Sequence, residues 1–147
     1  MKWKMNMNAG SNARKVLPKL AETYFEAGRK AADGKQSSKA LHRFRISTKR
    51  FRYALELFEP VYGDSLKRRL KTLHTLQDAL GKISDCQTIL EMLDGDKAIE
   101  AKLERAMKRN SKEFRKQWEK FDSNGQLKHW KEYLVHGAAR RPERVGK

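Results

Sequence analysis

The sequence predicts an all-α protein, an antiparallel bundle of about five to six helices. Three observations predict this fold class. Apolar residues recur three and four positions apart over most of the chain, which is the spacing of one helix face. No convincing run of alternating, β-branched residues indicates a strand. Short clusters of Asp, Ser, Asn and Gly separate the periodic segments, which favours short loops between antiparallel neighbours.

The first predicted helix has Pro18 in its first turn, where the missing N–H costs no hydrogen bond. It runs to about Ala32 and is ended by Asp33-Gly34. Its apolar stripe consists of Leu17, Leu20, Tyr24, Ala27 and Ala31. We expect the residues before this helix, 1–13, to form a flexible leader.

The second predicted helix begins after Ser37 or Ser38, because either side chain can cap the free N–H groups of the first turn. It runs to about Phe58, and Pro60 and Gly63 mark its end. One core-facing stripe follows a strict alternation of three- and four-residue steps. The stripe consists of Leu41, Phe44, Thr48, Phe51, Leu55 and Phe58.

A third helix, capped by Asp64 or Ser65, is expected to stop at Gly81. Its core-facing positions are Leu66, Leu70, Leu73, Gln77 and Leu80. The segment Ser84–Gln87 has the Ser-x-x-Gln form of a capping box, which predicts a short fourth helix over about residues 85–93.

Two further helices complete the prediction. Asp94-Gly95-Asp96 precedes the fifth helix, whose stripe is Ile99, Leu103, Ala106, Asn110, Phe114, Trp118 and Phe121. Residues 122–125 break it, and the last helix carries Leu127, Trp130 and Leu134. The predicted organisation is a single helical domain over residues 14–138, followed by a solvated basic tail over residues 139–147.

Charge is the strongest feature of the composition. The 147 residues include 34 Lys and Arg against 18 Asp and Glu, for a formal net charge of +16. Such an excess repels itself in a compact state, so a densely anionic partner is expected. On charge alone nucleic acid, an acidic membrane surface and polyphosphate all qualify.

Several other classes of protein are disfavoured. The single cysteine, Cys86, cannot form an intrachain disulfide, which favours a reducing, cytoplasmic location. No apolar run approaches the roughly 20 residues of a membrane span, so no membrane insertion is expected. No signal peptide, phosphate-binding glycine loop, metal-ligand cluster or Gly-x-Ser-x-Gly motif is evident. We therefore expect no catalytic residues, no metal and no cofactor.

A row of cationic side chains lies beside the core stripe of the second helix. At about 100° per residue, His42, Arg45, Lys49 and Arg52 fall within roughly 80° of one another. Such stacking costs like-charge repulsion, and Glu56 is the only carboxylate nearby to offset it. A linear anion lying along the row would explain the arrangement. The alternative interpretation is a solvated basic face.

The third helix repeats the pattern more weakly. Lys67, Lys71 and His74 share one face with Asp78, and Arg68 and Arg69 lie to either side. A solvated face, with His74 simply packed against its neighbours, is the competing interpretation here.

Two sequence blocks resemble the CHAD family, the conserved-histidine α-helical domain. They are His42-x-x-Arg45-Ile46-x-x-Lys49-Arg50-x-Arg52-Tyr53-x-x-Glu56-Leu57-Phe58 and Leu76-Gln77-Asp78-Ala79-Leu80-Gly81-x-x-x-Asp85. The resemblance covers about residues 38–93. It implies a helical bundle that binds inorganic polyphosphate through basic residues of a central groove, and it makes polyphosphate granules a candidate location. The ligand-facing set implied by the resemblance is His42, Arg45, Lys49 and Arg52, with Arg50 as an addition. The shared face of the third helix adds Lys67, Lys71 and His74 as candidate polyphosphate-binding residues.

The chain departs from the family pattern in one respect. Family members usually contain two pseudo-symmetric halves, each with a His-x-x-Arg block, whereas this chain has one block and resembles the C-terminal half. The resemblance therefore implies that the second wall of the groove is missing or is built by another copy, as in a homodimer.

Two other functions stay open at this level. A nucleic-acid-binding module fits the charge, although no known reader motif is evident and the aromatic residues lie mostly at core spacing. A histidine phosphotransfer bundle could use His42 or His74 as phosphoacceptor. In such bundles the histidine usually lies among small residues, whereas Arg43 and Phe44 follow His42.

Overall fold

The computed structural model describes the backbone of residues 9–93 and 95–145 and the side chains of this part as far as residue 137. Within it the chain forms six helices and no strand, which confirms the predicted all-α bundle. The helices are α1 (Ala9–Ala31), α2 (Ser38–Leu57), α3 (Glu59–Tyr62), α4 (Ser65–Met92), α5 (Lys97–Phe121) and α6 (Gln126–Val145).

Helix α2 lies at the centre of the packing, between α1 and α4; α1 also packs against α6, and α4 against α5. The predicted core stripe of α2 is confirmed, because every one of its residues is buried. The side chain of Ser37 caps the helix by accepting a hydrogen bond of 3.1 Å from the backbone N–H of Ala40. The cap fixes where α2 begins, and the apolar stripe turns one face into the core, so that the cationic row lies beside that face along the contact with α4.

An aromatic cluster fills the space between α1, α2 and α5. The ring of Tyr24 stacks between Phe44 and Phe51, with centroid distances of 5.1 Å and 4.9 Å. The Thr48 hydroxyl donates to the carbonyl of Phe44, so the Tyr24 hydroxyl donates to Thr48 Oγ1 at 2.8 Å. These bonds satisfy the two buried hydroxyl groups without a charged partner.

Helix α4 differs from the prediction. A stop at Gly81 and a separate helix over residues 85–93 were expected, but one helix runs from Ser65 to Met92. Leu80 and Ile83 are both buried on the two sides of Gly81, so a continuous helix keeps one apolar face in the core. That burial outweighs the cost of about 1 kcal/mol for glycine inside a helix. The predicted capping box is therefore wrong, and Ser84 lies in the interior of α4.

The boundaries of three segments also differ. The single-turn helix α3 follows α2, where only a break at Pro60 was expected. Helix α1 begins at Ala9, and Asn12 and Ala13 are buried, so residues 9–13 are not a flexible leader. Residues 1–8 lie outside the described part. The backbone of α6 continues to Val145, into the predicted tail, whose side chains are likewise outside it. The domain limits 14–138 stay a prediction.

The α4–α5 hairpin is buried at one end only. Among the described residues between Ile83 and Phe114 none is buried, and Ile99, the first residue of the predicted α5 stripe, is 42% exposed. Asp96 caps α5 by accepting a hydrogen bond from the backbone N–H of Ile99. Only the second half of the predicted stripe therefore packs in the core, where Phe114, Trp118 and Phe121 are buried.

Candidate anion-binding site

The cationic row of α2 lies along its contact with α4. His42 Nδ1 is 3.2 Å from Ser84 Oγ, and Arg52 Nη1 donates to Gln77 Oε1 at 2.8 Å. Residue numbers rise along α2 as they fall along α4, so the two helices are antiparallel. We call this surface, formed by His42, Arg45, Lys49 and Arg52 of α2 and Lys71, His74, Gln77, Gly81 and Ser84 of α4, the α2–α4 seam.

Arg52 is the most constrained cation of the seam, with only 11% of its side chain exposed. Its Nη1 also donates to His74 Nε2 at 3.3 Å. A guanidinium group has no acceptor, so His74 Nε2 must be unprotonated and the ring proton must lie on Nδ1. That nitrogen is 3.8 Å from Asp78 Oδ1. His74 and Gln77 therefore position Arg52.

Two buried donors at the seam lack a hydrogen-bond acceptor. Among the described residues none accepts from the Nε–H of Arg45 or of Arg52. Arg52 Nε forms an ion pair with Glu56 Oε2 at 3.5 Å, but the geometry is not that of a hydrogen bond. A buried donor without an acceptor costs about 1–3 kcal/mol. The seam thus holds two arginine side chains whose Nε–H groups are buried without a hydrogen-bond acceptor among the described residues.

Gly81 of α4 lies next to the Arg45 side chain. A Cβ atom built on Gly81 would lie 3.6 Å from Arg45 Nε and 3.8 Å from Arg45 Nη2. The Arg45 guanidinium therefore covers the α4 backbone at Gly81. It lies at ordinary van der Waals distance from the position that a Cβ atom would occupy.

The lysines of the seam are less constrained. Lys49 is half-buried and Lys71 is exposed, and neither ammonium group forms a hydrogen bond or ion pair with a residue that the structure describes. Lys67, the third predicted lysine, lies 3.4 Å from Asp64 Oδ1, and both side chains are well exposed. Such an exposed pair contributes little to stability, so it leaves Lys67 available to an anion.

Arg50 is separated from the other predicted site residues. It lines a groove on the α1 side of α2, beside Leu20, Thr23 and Tyr24. Tyr53 stays close to the row, because the guanidinium carbon of Arg52 lies 4.8 Å from the centre of its ring. The structure therefore brings together seven of the eight predicted residues on or next to one seam and places Arg50 on another face.

Sequence reasoning missed the uncharged members of the seam. Gln77 was expected in the core stripe, Gly81 as a helix stop and Ser84 as a cap. All three belong to or lie next to the second sequence block of the family resemblance, which was the available indication that this segment contributes more than a helix boundary.

The sequence model of the CHAD domain family matches residues 3–94 of the chain. The chain belongs to the CHAD family. The match begins well before residues 38–93, where the resemblance was expected, so α1, α2, α3 and α4 all lie within the CHAD region. Helices α5 and α6 lie outside it. Comparison with curated proteins and with solved structures finds no match.

Two further properties of this CHAD domain concern metals and membranes. No group of three or more His, Cys, Asp or Glu side chains in the described residues is arranged to hold a metal ion. None of the helices in the described part combines the length and the apolar character needed to cross a bilayer.

Proposed function

We propose that this CHAD domain binds inorganic polyphosphate along the α2–α4 seam and catalyses no reaction on it. The observation that carries the proposal is the convergence of cationic side chains from two helices on one seam, with two buried arginine donors lacking an acceptor. The CHAD family is linked to polyphosphate binding.

The geometry suits a linear anion. Successive turns of a helix are about 5 Å apart, so the row offers a cation at nearly every turn along α2. Arginine holds phosphate oxygens with a planar fork, and lysine acts as a mobile point charge. A repeating chain of phosphates can engage both kinds of group in sequence, whereas a single phosphate would reach only one or two.

We further propose that a second copy supplies the opposite wall of the site. The surface of α2 next to the cationic row carries exposed apolar side chains: Ile46 is 38% exposed, Tyr53 54% and Leu57 62%. In a dimer whose facing cations are neutralised by polyphosphate, these apolar side chains would contribute apolar area to the interface.

The proposed location is the cytoplasm, in association with polyphosphate granules. The only cysteine, Cys86, is a free thiol whose sulfur lies 3.7 Å from Asn110 Nδ2, in keeping with a reducing compartment. Fluorescence microscopy of the tagged full chain, with and without cellular polyphosphate, tests this location.

Two adjacent residues of α2 provide the test of the binding site. Lys49→Gln removes a seam cation and Arg50→Gln removes a cation from the other face, each changing the net charge by one. We expect Lys49→Gln to weaken polyphosphate binding by about 1–3 kcal/mol, or about five- to 150-fold, and Arg50→Gln to change it far less. Fluorescence anisotropy with end-labelled polyphosphate measures both. Equal losses in the two variants would mean that only net charge matters.

Competition separates polyphosphate from nucleic acid. Unlabelled polyphosphate should displace the labelled chain at a lower phosphate concentration than duplex DNA, because the seam offers cations to phosphate oxygens but no element that would read base edges in a DNA groove. Binding should weaken steeply with salt in both cases. If DNA competes better, the nucleic-acid alternative takes the place of the proposal.

A further inference from the structure

A second basic groove lies on the opposite side of α4 from the seam. It has a volume of about 600 Å³ and is lined by α4, α5 and α6. Its lining includes Ser65, Arg68, Arg69, Lys120, Trp130 and Tyr133. At about 100° per residue, Arg68 and Arg69 project from α4 more than 100° away from His74, and the lining of the groove and the α2–α4 seam have no side chain in common.

Arg69 is held at the wall of this groove by two aromatic rings. Its guanidinium carbon lies 4.3 Å from the ring centre of Tyr133 and 5.0 Å from that of Trp130. The Tyr133 hydroxyl is in turn hydrogen-bonded to Ser65 Oγ at 2.6 Å. Stacking of this kind fixes the plane of a guanidinium group and leaves its N–H edge available.

The charge of the groove is uncompensated. Arg68, Arg69 and Lys120 line it, and no carboxylate is among the described lining residues. The guanidinium group of Arg69 forms no ion pair or hydrogen bond with the part of the chain that the structure describes. Burial lowers the pKa of Arg69, and the charge of Arg68 acts in the same direction while Tyr133 opposes it. An anion in the groove would relieve this cost.

The volume of the groove and its mixture of cationic and aromatic lining residues indicate what kind of ligand it can bind. Pockets for small molecules usually measure about 300–1,000 Å³, so this groove accommodates a molecule larger than one phosphate. Three cations, two from α4 and one from α5, match the charge of a diphosphate group, and the rings of Phe121, Trp130 and Tyr133 add apolar surface. We propose that the groove binds a small molecule that bears a diphosphate group, separately from the anion of the α2–α4 seam.

Inorganic pyrophosphate and a nucleoside diphosphate such as ADP share this chemistry, and titration of the full chain with each distinguishes them. The assigned indole N–H signal of Trp130 in a two-dimensional NMR spectrum reports on the groove, because the ring stacks on Arg69. We expect a saturable shift of this signal below about 10 mM ligand. Tighter binding of ADP would identify an organic ester, and equal binding would identify the inorganic group.

Variants assign the signal to the groove. The double variant Arg68→Gln, Lys120→Gln changes two exposed side chains, so it should fold normally and weaken binding by at least about fivefold. Lys49→Gln, at the seam, should leave the titration unchanged. The proposal is wrong if the double variant binds like the wild type, if Lys49→Gln abolishes the shift, or if neither ligand saturates the signal.

Discussion

Arg52 shows how one residue combines two roles that the sequence could not separate. The spacing placed it in the cationic row as an equal of Arg45 and Lys49. In the structure its guanidinium contacts His74, Gln77, Glu56 and Tyr53 and is almost fully covered. Arg52 therefore joins α2 to α4 as well as contributing charge to the seam.

Arg52→Ala should accordingly lower both the stability and polyphosphate affinity of the protein. Removing it leaves Gln77 Oε1 and His74 Nε2 without their donor, at a cost of about 1–3 kcal/mol in the free energy of unfolding. Lys49→Ala is the matched variant: it should weaken binding with little change in stability. Urea unfolding and anisotropy titrations measure the two effects. An unfolding curve for Arg52→Ala that overlays the wild type would show that its contacts to α4 contribute nothing.

At the scale of helices, two glycines within helices have opposite surroundings. A Cβ atom on Gly28 of α1 would overlap the ring of Trp118 in α5, whereas one on Gly81 of α4 would lie at ordinary contact distance from Arg45. Gly28 thus permits the close approach of two helices, and Gly81 carries no such requirement.

The same substitution should therefore change stability in opposite directions. Gly81→Ala should raise the free energy of unfolding by about 0.5–1 kcal/mol, because alanine loses less backbone entropy in a helix. Gly28→Ala should lower it by about 1–3 kcal/mol or more through overpacking. Thermal and urea unfolding followed by circular dichroism compare them. A loss of stability in Gly81→Ala would mean that the seam cannot accept a methyl group beside Arg45.

Because Tyr24 of α1 is buried against α2, the free energy of unfolding should depend on pH in the alkaline range. Burial raises the pKa of Tyr24 above its ordinary value of 10.0, against the opposing effect of its hydrogen bond with Thr48. Below pH 10 the phenol is neutral in both the folded and the unfolded chain, so its contribution to stability is complete. Above it the unfolded chain ionises first, and stability falls as pH rises.

Tyr24→Phe should reduce the loss of stability at alkaline pH. At about pH 8 it should cost about 1 kcal/mol for the lost hydrogen bond, and at about pH 11 the difference from the wild type should shrink or reverse. The pKa of Tyr62 is also raised by burial, so part of the alkaline loss should remain. Urea unfolding at the two pH values tests the sign. A constant difference between the two proteins would mean that Tyr24 does not titrate on unfolding.

At the scale of the whole molecule, charge is distributed unevenly. Residues 85–104 carry six carboxylates against two lysines, although the chain as a whole has a formal charge of +16. This acidic segment lies at the less buried end of the α4–α5 hairpin. The positive charge is therefore carried by the rest of the chain, and a polyanion should approach the protein there and not at this acidic segment.

Assembly should follow from the same charge. Two copies facing each other across their seams repel without an anion, since each carries the +16 charge. Polyphosphate between them would neutralise the facing rows and link dimer formation to binding by mass action. We expect light scattering to show a monomer at low salt and a two-protein complex once a short polyphosphate is added. Leu57→Ser, at the exposed apolar flank, should weaken the complex and leave the fold intact. A one-protein complex at saturating ligand would contradict the proposal.

Helical spacing in the sequence predicts the fold class and the inward face of α2 without any knowledge of the tertiary structure. Helical periodicity is a local property of the chain, so the stripe from Leu41 to Phe58 could be recognised without knowing what it packs against. The same periodicity placed His42, Arg45, Lys49 and Arg52 on one side of α2. The family resemblance, carried by the two blocks around these residues, was confirmed by the CHAD match.

Only the tertiary structure decided what lies opposite that row. Whether Gly81 ends a helix depends on the burial of Leu80 and Ile83 against other helices, which a local glycine preference cannot report. Because α4 continues through Gly81, Ser84 reaches His42, while Gln77, one turn before the glycine, reaches Arg52. Arg50 and Lys49 are neighbours in sequence, yet the position of α1 places Arg50 in a different groove. Contacts between helices depend on residues far apart in the chain, and for that reason the partners of the cationic row were not contained in its spacing.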